Sequence, residues 1–82
     1  MNIINVDSNC YGEFDYYVVE TKSYISTKEF IIDVIFKDSK VEFNGSVIAY
    51  RDWVELEEEE CKSILLELKN RGLLLRDIKF LN

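Results

Sequence analysis

The chain has 82 residues and a formal net charge of -6, and it is 48% hydrophobic and 13% aromatic with no proline and no histidine. That length allows one globular domain spanning residues 1–82, and the apolar content is too high for a disordered tail. The charge balance argues against direct nucleic-acid binding and against adsorption to anionic membranes, both of which need a basic face.

In chain order, the opening MNIINVDSNC carries neither a basic leader nor a long apolar run, so no signal peptide and a cytoplasmic location are expected. IINV within it is a weak strand candidate. Residues 14–21 (FDYYVVET) combine aromatic and β-branched side chains and predict a strand, with Tyr17 on the face opposite Phe14, Tyr16 and Val18. Residues 29–37 send two signals. Ser26 with Glu29 fits a capping box and Ile25 with Phe30 a hydrophobic staple, which favour a helix. Ile31, Ile32, Val34, Ile35 and Phe36 favour the pleated sheet, and the KDSK step that follows resembles a hairpin turn. The balance goes to strand.

Asn44-Gly45 stands between Val41-Glu42-Phe43 and Ser46-Val47-Ile48 and predicts a type I′ hairpin turn. In that register Val41, Phe43, Ile48 and Tyr50 share one face, while Glu42, Val47 and Ala49 take the other. A helix follows. Cys61, Ile64, Leu65 and Leu68 fall on one face, Glu57 is the expected N-cap with Leu56 and Cys61 as staple, and Gly72 with Leu73 predicts a Schellman ending. Residues 73–81 (LLLRDIKFL) are a second weak strand candidate and, with IINV, a candidate sheet edge. The expected fold class is α+β: a small antiparallel sheet of three to five strands with one C-terminal amphipathic helix, a second helix near residues 27–37 being the alternative.

Catalytic and metal-binding constellations are hard to assemble from this chain. Without histidine it lacks the commonest general base and zinc ligand, and its three glycines form no phosphate-binding loop. Cys10 has no obvious cation nearby in sequence and reads as an inert thiol, whereas Cys61 belongs to the helix's apolar face; reduced thiols are the cytoplasmic expectation. Glu57, Glu58, Glu59 and Glu60 invite a metal reading, but consecutive helical positions point about 100° apart and fan the carboxylates outward. Acids in a first helical turn are instead favoured by the helix dipole. No metal, cofactor or catalytic role is therefore expected.

What remains is binding. The acids concentrate before residue 61, whereas Lys62, Lys69, Arg71, Arg76 and Lys79 make the C-terminal stretch basic. Asp52, Glu55, Glu57, Glu58, Glu59, Glu60 and Glu42 are the candidate contact acids, extended by Asp33 and Asp38, with Trp53 and Tyr50 as apolar anchors for a protein partner with a basic surface. Residue usage heavy in Ile, Asn, Lys, Glu, Tyr and Phe resembles that of AT-rich bacteria and their phages, whose small acidic proteins include anti-CRISPR and anti-restriction inhibitors. By that analogy of size and composition, the most specific expectation is a nucleic-acid mimic docking on a nuclease complex or similar nucleic-acid-processing protein. The alternative is a structural subunit or homodimer that pairs through a sheet edge or an aromatic face.

Overall fold

Five strands in simple succession form one antiparallel sheet, β1 (Ile3–Tyr11), β2 (Phe14–Lys22), β3 (Thr27–Lys37), β4 (Lys40–Ala49) and β5 (Asp52–Glu55), followed by a single helix α1 (Glu58–Asn70). The computed structural model describes residues 1–38, 40–49 and 51–79. The architecture is the α+β class expected. Residues 27–37 are strand, as their branched side chains require, and the capping signals around Ser26 serve a hairpin turn in which the Ser23 N–H donates to the Ser26 carbonyl at 2.8 Å. Between β1 and β2, Gly12 at φ 62° heads a two-residue connection joining the paired Tyr11 and Phe14, the position a glycine takes in a type II′ turn.

The expected turn at Asn44-Gly45 does not form. Both residues lie inside β4 and pair with Asp33 and Ile32 of β3. The glycine serves a different need: a Cβ on Gly45 would stand 2.5 Å from Cys61 Sγ and 3.0 Å from Leu56 Cδ1, so the bare backbone is what lets α1 seat against the sheet. An unbroken β4 also changes its faces. Val41, Phe43 and Val47 pack against the core, whereas Ile48 lies with Glu42 on the opposite side. Tyr50, placed with the apolar face by the hairpin register, lies outside the described residues.

One face of the sheet is covered. Tyr17, Val19, Ile32 and Val34 are fully buried beneath Leu56, Cys61, Ile64, Leu65 and Leu68, with Ile78 closing the same core. The helix begins and ends as expected. Glu57 is the N-cap, and its N–H donates to Glu60 Oε1 at 3.3 Å. At the other end Gly72 takes φ 71°, with its N–H on the Lys69 carbonyl at 3.0 Å and the Leu73 N–H on the Leu68 carbonyl at 2.9 Å, the paired bonds of a Schellman motif.

The last described segment is not a strand. Residues 73–79 run irregularly across the covered face, held by side chains rather than by a ladder. The Leu75 N–H donates to the Tyr17 hydroxyl at 2.8 Å, and Arg76 grips Asp15 through two bonds, Nη2 to Oδ1 at 2.8 Å and Nε to Oδ2 at 2.9 Å. A ladder would sacrifice this forked contact, which neutralises a buried carboxylate. The sheet edges are therefore β1 and β5. Residues 80 and 81 of the expected C-terminal strand lie outside the described residues.

Candidate protein-binding face

Strand alternation puts every second residue on the side of the sheet away from α1, and no element covers that side among the described residues. The register builds it as four rows crossing the strands. Tyr11, Phe14, Ile35 and Glu42 form the first, and Asn9, Tyr16, Asp33 and Asn44 the second. The third runs Asp7, Val18, Ile31, Ser46, Glu55, and the fourth Asn5, Glu20, Glu29, Ile48, Trp53. An apolar band thus crosses the sheet from the stacked rings of Tyr11 and Phe14, 5.3 Å between centroids, through Val18 and Ile31 to Ile48 and Trp53. Tyr11 is 52% exposed and Trp53 64% exposed. Carboxylates punctuate the band and outline it.

Asp33 sits near the middle of this face. Burial among its neighbours pushes its carboxyl above the ordinary range. No hydrogen bond or ion pair from a described residue reaches it. A shallow groove beside it is lined by Ile31, Asn44, Ser46, Trp53 and Glu55.

The structure divides the acids expected to act together. Glu42, Glu55 and Trp53 share the open face with Asp33, whereas Asp52 alternates to the other side of β5. Glu57 and Glu60 cap the helix, and Glu58 and Glu59 each lie 3.6 Å from Lys62 Nζ in the other layer of the molecule. Asp38 sits in the turn after β3 at φ 51°. Four consecutive glutamates therefore support a helix start, and the acids of the open face come from all five strands. Ile31, Ile35 and Ile48 are members that sequence reasoning did not assign to a site, whereas the Phe14 and Tyr16 face was weighed there only as the aromatic alternative. Period-two alternation through β2 and β3 carries their signal, and the misplaced turn in β4 obscured how those strands line up with Trp53.

The covered side holds chemistry of a different kind. Asp15 is fully buried, and the hydrogen bonds Arg76 donates to its carboxylate raise the guanidinium above its ordinary value. Arg76 Nη2 also lies 3.1 Å from Cys10 Sγ, so the exposed thiol does have a cation beside it, brought from a distant part of the chain. Burial raises the Tyr17 hydroxyl and the Cys61 thiol above their usual values. Cys10 and Cys61 are both free. Among the described residues no group of three metal-binding side chains converges, and no helix is long and apolar enough to cross a membrane. No protein-family model, curated protein or solved structure matches the chain.

Proposed function

We propose that this protein acts by binding rather than by catalysis, docking the open face of its sheet onto a protein with a basic surface. One observation carries the proposal: an uncovered sheet face bearing an exposed tryptophan and tyrosine, an apolar band and acids drawn from every row. Aromatic anchors inside a polar surround are the ingredients of a protein interface. Strand spacing and residue rise give the face about 24 Å by 27 Å, roughly 650 Å². A standard interface uses about 800 Å² per partner, so the patch is close to sufficient alone. The most specific form is an inhibitor of the anti-CRISPR or anti-restriction kind, acting in the cytoplasm on a nucleic-acid-processing protein, with open-face carboxylates standing where phosphates would lie.

Affinity capture from the source cell with three forms of the protein tests this. The unaltered chain and a Glu58→Gln/Glu59→Gln variant are expected to retain the same partner, more weakly as salt rises. A Tyr16→Ala/Trp53→Ala variant is expected to lose it by tenfold or more, about 1.4 kcal/mol at the least. Retention by the face variant with loss by the helix variant would sink the proposal. A second function, self-association, is favoured by β1, a nine-residue edge strand whose outer side meets no other strand among the described residues. Sedimentation showing only monomer at working concentration would remove it.

A further inference from the structure

The two faces of the sheet each hold a carboxylate beside an aromatic ring, but only one has its cation. On the covered face Asp15 receives both bonds of the Arg76 fork, and the Arg76 guanidinium lies 4.2 Å from the centre of the Phe36 ring. On the open face Asp33 lines a groove with Trp53 and Glu55, together with the Asn44 amide and Ser46 hydroxyl, and the lining contains no lysine or arginine. No described residue supplies the Asp33 carboxylate with a hydrogen bond or a counter-charge. A carboxylate partly withdrawn from water without a partner is unfavourable, and a cation brought by another molecule relieves that cost.

We propose that the Asp33–Trp53–Glu55 groove receives an arginine side chain of the partner protein, an inference that rests on the docking proposal above. Arginine fits better than lysine for two physical reasons. Its planar guanidinium presents donors in a fork that a carboxylate accepts in pairs, and its weak hydration lets it lie on an indole face. Lysine's ammonium is more strongly hydrated and offers a point charge. The net charge of -6 adds general attraction for any cation, but the groove adds shape.

Amide chemical shifts of the isotopically labelled full chain, titrated with N-acetyl-arginine methylamide, test the groove directly. Saturable shifts are expected at Asp33, Asn44, Ser46 and the Trp53 indole, with an affinity in the millimolar range, about that of a single side chain. The lysine analogue is expected to bind at least threefold more weakly, and the uncharged citrulline analogue to leave these signals unmoved. Asp33→Asn and Glu55→Gln are each expected to weaken arginine binding severalfold in a folded protein. Equal response to arginine and citrulline, shifts confined to Glu57–Glu60, or indifference to both substitutions would each overturn the inference. If the arginine probe fails while Tyr16→Ala/Trp53→Ala still abolishes partner capture, the groove falls and the docking face stands. If that face variant keeps the partner, the docking face itself falls.

Discussion

Asp15 and Asp33 occupy neighbouring strands of one sheet, point to opposite faces and meet opposite fates. Asp15 is buried and held by a forked arginine from sixty-one residues away, in a layer completed by the chain itself. Asp33 lies among Tyr16, Ile31 and Ile35 with no counter-charge among the described residues, in a layer that no described element covers. The strands invest aromatic and branched residues in both faces: Tyr17 faces a core, Tyr16 faces solvent. A single-layer helix cover explains only half of that apolar surface. The other half is what a partner would complete.

The sharpest contrast between the two faces is in stability. Leu65→Ala removes a fully buried side chain between helix and sheet and is expected to cost about 3 kcal/mol in urea denaturation, whereas Trp53→Ala stays within about 0.5 kcal/mol. Comparable losses would mean the open face is structural. Next is the carboxylate pair. Breaking a buried ion pair by deleting one member costs about 3–5 kcal/mol when both are buried, and Arg76→Ala, which leaves the buried Asp15 without its cation, is expected to cost about 2–3 kcal/mol because the lost partner is itself part-exposed. Gly45→Ala follows, at about 1–3 kcal/mol, because its methyl would meet Cys61 Sγ inside a packed layer. Tyr17→Phe, which leaves the Leu75 N–H without its acceptor, is expected to cost about 1 kcal/mol.

The smallest effect has the opposite sign. Because the folded Asp33 carboxyl is raised, the native state binds more protons than the unfolded chain between the ordinary carboxylate value and the raised one. Stability therefore falls as pH rises through that window, and the penalty is fully present above it. Asp33→Asn should melt slightly higher than the unaltered protein near neutral pH, with the difference closing at about pH 3. A lower melting temperature at neutral pH would show that Asp33 has a stabilising internal partner.

Much of the covered half was legible in local sequence. Leu56, Glu57, the Cys61–Leu68 periodicity and Gly72 mark the helix start, buried face and stop, and each needs information only a few residues away. Asn44-Gly45 shows where locality fails. Its turn preference is a statement about two residues, and it is overridden by an eleven-residue β3 that offers partners along the whole of β4 and by a helix that needs the missing Cβ. The Asp15–Arg76 fork and the short β5 are equally non-local. The glutamate run drew the binding site toward α1 because charge density along the chain is visible, whereas acids gathered from five strands become neighbours only once the register is known.

A photo-crosslinking amino acid in place of Ser46, in the open face, and in a second form in place of Ser63, on the exposed side of α1, would test most directly which layer meets the partner. Irradiation in the source cell should yield one discrete crosslinked protein from position 46 and none from position 63. A crosslink from position 63 alone, or the same product from both, would contradict the assignment of docking to the uncovered sheet.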